Sequence, residues 1–174
     1  MSALPCGYVH VYTGNGKGKT TAALGLALRA SGAGLKIFIQ QFAKSKDCSE
    51  NKALRKIKNV TVSQCGNGPF IIGKPKISDV QCARRGLELA NKIISAGKHD
   101  LVILDEINVA MKIGLVGKDE VMDMIKKKPR DLELVLTGRD CPKKIKDAAD
   151  LVTEMKEVCH PYARGIKARR GIEY

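Results

Sequence analysis

The 174 residues carry 31 Lys and Arg against 18 Asp and Glu, a formal charge of +13, and are long enough for one domain that buries roughly 70% of the surface its unfolded chain exposes. The longest apolar stretches, such as LVIL at 101–104, fall far below the ~20 residues a bilayer span needs, and MSALPCGYVH lacks a cationic and then apolar leader, so no membrane association and a cytoplasmic location are expected. The basic excess invites a nucleic-acid reading, but three Phe, four Tyr and no Trp leave little to stack bases, so a small polyanionic substrate fits better.

In chain order, the β-branched run from Tyr8 to Tyr12 reads as a buried strand. It leads into TGNGKGKTT (13–21) and then a helix from Thr20 to Ala30, apolar almost all round and read as buried, that stops at Gly32 and Gly34. Leu35 to Phe42 and Val60 to Ser63 are the next strands, and CGNGPFIIGKPK (65–76) is a Gly- and Pro-rich loop of the kind that carries function. Ser78 or Asp79 can cap a long helix reaching Ser95, with Gly97 just past its end. Asp100 to Leu104 and Leu132 to Thr137 complete five strands. Strands alternating with helices imply right-handed crossovers and a mostly parallel sheet covered on both faces. A single α/β domain over residues 1–174 is therefore expected. Six cysteines without a Cys-x-x-Cys pair suggest free thiols, with no zinc site or disulfide framework.

The chemistry concentrates at three strand ends. A strand running into TGNGKGKTT and then a helix is the setting of a phosphate-binding loop, in which glycine backbones turn N–H groups toward phosphate oxygens. Lys19 adds a full charge there, and the Thr20 hydroxyl reaches a bound magnesium. The usual pattern puts its first glycine at position 13, where this chain has Thr13; Gly14, Gly16 and Gly18 supply the flexibility instead. Lys17 has two readings, a phosphate contact or a solvated charge. LVILDE (101–106) ends an apolar strand on two acids, which brings Asp105 or Glu106 beside the magnesium of a nucleotide. LELVLTGRD (132–140) places Thr137, Gly138 and Arg139 where open α/β sheets collect ligands. Arg139 there either touches a phosphate or pairs with Asp140 or Asp150. His160 has no acid or cysteine at a triad or metal spacing, and reads as a structural or ligand-wall residue. The tail KARRGIEY, ending on Ile172 and Tyr174, suggests packing back onto the domain.

TGNGKGKTTAALGLALRA, then IQQFAK (39–44), VILDEIN (102–108), VLTGRD (135–140), ADLVTEM (149–155), HPY (160–162) and GIEY (171–174) together resemble the P-loop class of ATP:corrinoid adenosyltransferases over nearly the whole chain. The resemblance implies a RecA-like fold, often dimeric, that moves the 5′-deoxyadenosyl group of ATP to the cobalt(I) of a reduced corrinoid and frees triphosphate. It further implies that Gly14, Asn15, Gly16, Lys17, Gly18, Lys19, Thr20 and Thr21 hold the phosphates, with Thr20 and Glu106 at magnesium or manganese. Phe70 falls in the loop expected to meet the corrinoid, followed by Ile71 and Ile72 where members often carry an aromatic pair; Cys159 stands where lysine is common and Arg169 where glutamine is. Charge building on the oxygen that leaves the 5′-carbon calls for Lys19, the Gly16 and Gly18 amides, the metal, and Lys17 or Arg139. On this view the altered loop grips a triphosphate leaving group, and a reduced flavoprotein supplies electrons.

A RecA-like nucleic-acid-dependent ATPase shares the loop, the acids and the charge, but predicts a basic stripe with stacking aromatics that the sequence lacks. A nucleotide kinase predicts an arginine-bearing lid, and no insertion of that kind is present. A non-catalytic nucleotide-binding module leaves the paired acids without a use.

Overall fold

The computed structural model describes residues 4–44, 48–66 and 73–173. Strand β1 is Val9–Thr13, α1 Lys19–Gly32, β2 Ile37–Phe42, α2 Ser49–Leu54, β3 Val60–Cys65 and α3 Ile77–Ser95. After them come β4 Leu101–Asp105, α4 Ile107–Lys112, α5 Lys118–Lys127, β5 Glu133–Thr137, α6 Lys143–Asp147 and β6 Leu151–Glu154, then a 3-10 turn at Pro161–Arg164. The strands form one sheet in the order β3-β2-β4-β5-β1-β6, and every pairing is parallel. The alternation of elements predicts such a parallel α/β sheet, and its RecA-like class is the one the family resemblance implies.

Strand alternation sends side chains to two cores. Phe38, Val102, Leu104, Leu134 and Leu136 pack with Ala83, Leu87, Ala90 and Ile94 of α3 and with residues of α4 and α5 on one face. Ile37, Ile39, Leu101, Ile103 and Val135 meet Ala23, Ala27 and Ala30 of α1 on the other. Alanines at that spacing line a single helical face and let α1 lie close to the sheet. The expectation that α1 is buried all round is corrected: only this alanine face is enclosed, and Leu28 is 61% exposed.

The long helix begins at Ile77 with Lys76 as its cap, and Asp79 acts from inside the first turn by accepting the Lys76 N–H at 2.9 Å. Strand β6 escapes the sequence reading because all four of its residues are exposed at the sheet edge, so it shows no buried apolar signature. It is pinned by its approach: the Asp150 N–H donates to the Val9 carbonyl, and the Asp150 carboxylate takes the Val9 N–H at 2.7 Å.

Candidate active site

Parallel strands deliver their carboxyl ends to one edge, and β2, β4, β5 and β1 are successive neighbours there. The phosphate loop after β1, the acids after β4 and Arg139 after β5 therefore meet. Thr13 closes β1 opposite Glu154 of β6. Its side chain is buried and accepts the Cys141 N–H at 3.3 Å. Position 13 is thus still strand, and the glycines begin one residue later.

Gly14 (φ 92°) and Gly18 (φ 115°) turn the loop through left-handed backbone, which glycine adopts without a Cβ penalty. At Gly14 and Gly16 a Cβ would also lie 2.5 and 2.8 Å from the Met155 carbonyl oxygen. The Gly16 N–H is itself donated to that oxygen at 2.7 Å, so this amide is turned toward the chain leaving β6. The Ala22 N–H closes the first turn of α1 on the Gly18 carbonyl, leaving the amides of Lys19, Thr20 and Thr21 as the orphan donors at a helix start.

Lys19 is buried, and its ammonium donates to the Gly14 and Gly16 carbonyls at 2.8 and 2.7 Å. Burial lowers its pKa, with Glu106 opposing the shift. The Lys17 ammonium pairs with Glu173 at 2.8 Å. Glu173 is held below the usual carboxylate range, at about 2, chiefly by hydrogen bonds from Arg169 and Lys17. The carboxyl-terminal tail thus returns to the loop through these charges, while Ile172 stays exposed. Arg139 donates to the Asn15 carbonyl at 3.3 Å, and Asp150 is committed to β1.

Asp105 is the hub of the site. It is fully buried, with Oδ1 accepting from the Thr20 hydroxyl at 2.8 Å and the Thr137 hydroxyl at 2.7 Å. Oδ2 accepts from the Lys44 ammonium at 2.7 Å and the Gln41 amide at 3.3 Å. Lys44 also reaches the Thr20 hydroxyl at 3.3 Å. Burial works against the charge on Lys44, but the Asp105 carboxylate outweighs it and raises its pKa. Glu106 follows in left-handed backbone at φ 61°, a conformation that costs a non-glycine residue about 1–3 kcal/mol. The Thr137 hydroxyl holds it there by accepting the Glu106 N–H at 3.0 Å. Burial, then Asp105, raises the Glu106 pKa, against Lys44, Lys19 and Arg139. Those five groups form one electrostatic cluster.

Lys44, Gln41 and Met155 are the partners the sequence reading left without a role. A lysine two residues beyond β2, in the same edge as the acids, was the available signal for the first. Phe70 lies outside the described residues, as does half of the glycine-rich segment it belongs to. His160 accepts the Tyr162 N–H at 3.2 Å and so caps the 3-10 turn. A cavity of ≈ 440 Å³ lined by Lys36, Lys58, Asn59, Thr61 and His99 sits at the opposite edge of the sheet and shares no residue with this cluster.

The sequence profile of the family described as ATP:corrinoid adenosyltransferase BtuR/CobO/CobP matches residues 6–174. A corrinoid adenosyltransferase of Escherichia coli K12 is 33% identical over 168 residues, covering 97% of this chain and 86% of that protein. One from Pseudomonas aeruginosa is 34% identical over 170 residues, covering 97% and 84%. An uncharacterized protein of a Nostoc strain is 37% identical over 173 residues; the match takes in 90% of this chain and 46% of that longer relative.

Proposed function

The chain belongs to the ATP:corrinoid adenosyltransferase family, and from that premise we propose its reaction and how its residues divide the work. The protein is an ATP:corrinoid adenosyltransferase, moving the 5′-deoxyadenosyl group of ATP to the cobalt(I) of a reduced corrinoid and releasing triphosphate. One observation carries the residue-level reading: the loop, the paired acids and Arg139 converge on a single edge around buried Asp105. None of the relatives' names points to a nucleic-acid-dependent ATPase, and that alternative has no support.

The substrate's cobalt is itself the nucleophile, so the protein needs no catalytic triad; it supplies orientation, electrostatics and exclusion of water. The orphan amides of Lys19, Thr20 and Thr21 and the loop N–H groups of Asn15, Lys17 and Gly18 receive the triphosphate. Lys19 exchanges its two loop carbonyls for phosphate oxygens, a richer counter-charge. Arg139, with Lys17 if it leaves Glu173, adds charge along the leaving group.

Magnesium or manganese fits the donor set, because the Asp105 carboxylate and the Thr20 hydroxyl are hard oxygen ligands at a cation position that Lys44 holds, and the Glu106 carboxylate is near enough to act on Lys44 electrostatically. Among the described residues no three His, Cys, Asp or Glu side chains converge, so nucleotide oxygens would have to complete the shell, as magnesium sites in nucleotide enzymes commonly arrange. Bound there, the metal would offset negative charge on the triphosphate. Thr20, Asp105 and Glu106 are its proposed ligands.

One domain spans residues 1–174 in this reading, and the corrinoid meets the segment between β3 and α3, with Phe70 in contact. A homodimer is supported by the open edge of β6, where Leu151 and Val152 are exposed. A reduced flavoprotein is the electron donor, and the charge of +13 favours an acidic partner surface. The cytoplasm is the expected compartment; no helix among the described residues is long and apolar enough to cross a membrane, and none of the described cysteines forms a disulfide, which suits a reducing environment.

The decisive assay incubates the protein with ATP, magnesium and a chemically reduced corrinoid and follows the new cobalt–carbon bond by its absorbance. Lys19→Ala loses a charge-assisted contact worth about 1.5–3 kcal/mol in binding, so the folded variant is expected to fall by orders of magnitude. No absorbance change with the parent protein sinks the activity, and a fully active Lys19→Ala protein sinks the loop assignment.

A further inference from the structure

We propose that Lys44 is a built-in occupant of the metal seat: in the nucleotide-free protein its ammonium neutralises Asp105 and keeps a free divalent cation out until that cation arrives with the triphosphate. The inference rests on the proposed metal ligands Thr20 and Asp105, and adds to them a residue that decides when they become available.

Three observations lead to it. The Lys44 ammonium contacts Asp105 Oδ2 at 2.7 Å and Thr20 Oγ1 at 3.3 Å, which are oxygens of two of the side chains proposed to hold the metal. A divalent ion and an ammonium cannot share that space, since both need the same lone pairs and they repel each other. Next, Asp105 is fully buried while the Lys44 side chain keeps 20% exposure. A buried carboxylate requires a counter-charge, and Lys44 is the cation that donates directly to it. Its exposed side gives the ammonium a way out when another cation takes over.

The third observation is what stays fixed while Lys44 moves. Its main chain is pinned: Ala43 before it sits at φ 54°, and a Cβ on Gly66 would lie 2.7 Å from the Lys44 carbonyl carbon. Asp105 keeps its other donors, because Thr137 holds Oδ1 and the Gln41 amide is oriented by Asn51, which donates to Gln41 Oε1 at 2.7 Å. The flexible lysine side chain is thus the replaceable member of an otherwise rigid cluster. A metal-free triphosphate offers the lysine no replacement for itself at Asp105, and a bare metal ion offers it no new anion. Only the two together satisfy both groups, which makes the site selective for the metal–nucleotide complex.

The test uses full-length protein, Lys44→Met, and Mn²⁺ titrated alone and followed by electron paramagnetic resonance. Without nucleotide the parent is expected to bind Mn²⁺ weakly, and Lys44→Met at least about tenfold more tightly. Mg²⁺ is expected to raise the melting temperature of Lys44→Met by about 5 °C or more beyond its effect on the parent, because it replaces the missing counter-charge. The double variant Asp105→Asn, Lys44→Met has no Asp105 charge to neutralise and is expected to lose that metal response, which a merely structural lysine would not predict. Should Lys44→Met fold only when Mg²⁺ is added, the proposal is supported; should it fail to fold at every Mg²⁺ concentration, it is overturned. Equal Mn²⁺ affinity in parent and variant also overturns it. A parallel titration with a non-hydrolysable ATP analogue separates the two levels: Mn²⁺ uptake by the parent with the analogue but no gain in Lys44→Met without it ends this inference alone, whereas no uptake by either protein ends the metal reading too.

Discussion

The Met155 carbonyl accepts the Gly16 amide at 2.7 Å, so the phosphate loop is braced by the chain leaving the edge strand. This contact also accounts for the displaced glycine. Thr13 remains in register with Glu154, and the bare backbones at Gly14 and Gly16 make room for Met155 where a side chain would collide.

Gly16→Ala is accordingly expected to push β6 and the loop apart, since the added Cβ would sit 2.8 Å from the Met155 oxygen. Nucleotide affinity should drop by at least about tenfold, roughly 1.4 kcal/mol, while the main core is untouched. Calorimetric titration with an ATP analogue checks it, and unchanged affinity in a folded variant would show that the brace does not shape the loop. Gly25→Ala, with nothing within 4 Å of its new Cβ, is the control and should bind normally.

Much of this site was legible because strand ends announce themselves. TGNGKGKTT, LVILDE and LTGRD each follow a short apolar run, and a parallel sheet must bring such ends to one edge. What stayed hidden depends on contacts that sequence spacing does not encode. The Gly16 amide looks free until Met155, 139 residues further along, arrives through a strand with no buried face. The ammonium of Lys44 meets Asp105 only because β2 and β4 are neighbours, with Gln41 beside Asp105 in register. Apolar composition likewise overstated the burial of α1, because the sheet needs only the alanine stripe and leaves Leu28 in water.

Glu106→Gln keeps size but removes a negative charge from the cluster. Turnover is expected to fall and to recover partly with added Mg²⁺ or Mn²⁺, the behaviour of a weakened metal ligand. Asp105→Asn is expected to lose stability as well, because four donors converge on a carboxylate that is no longer charged. Metal titrations of initial rates decide the matter. Identical metal dependence in Glu106→Gln and the parent would remove Glu106 from the ligand set.

A pH effect is expected far from this edge. Burial alone would raise the Glu133 pKa, but the His10 contact at 2.6 Å and the Tyr8 N–H at 2.7 Å prevail and hold it below its ordinary 4.5. A depressed carboxylate stabilises the fold above its unfolded value and loses that contribution as pH falls through the folded one. The parent should therefore weaken as pH drops below about 4.5, and Glu133→Gln should show a shallower decline over the same window. Urea unfolding at stepped pH reads this directly, and parallel curves for the two proteins would mean that Glu133 contributes nothing to acid stability.

The nature of the small product discriminates the proposed reaction from every hydrolase and kinase reading of the same fold. Attack on the 5′-carbon breaks its bond to oxygen and frees all three phosphates as one polyanion, whereas hydrolysis or phosphoryl transfer breaks the bond to the γ-phosphate. In the first case negative charge grows on the oxygen leaving the 5′-carbon, beside the α-phosphate. The protein's means of stabilising it are Lys19, once released from the Gly14 and Gly16 carbonyls, the orphan amides opening α1, and Arg139, poised against the Asn15 carbonyl. Such groups are aimed at charge that is larger in the transition state than in bound ATP, so they accelerate transfer more than they tighten substrate binding. Intact triphosphate, one per corrinoid alkylated, is the expected product, and ATP without reduced corrinoid should be almost inert. Anion-exchange separation after a single turnover makes the comparison; stoichiometric ADP, or cleavage that proceeds equally well without corrinoid, would refute transfer to cobalt.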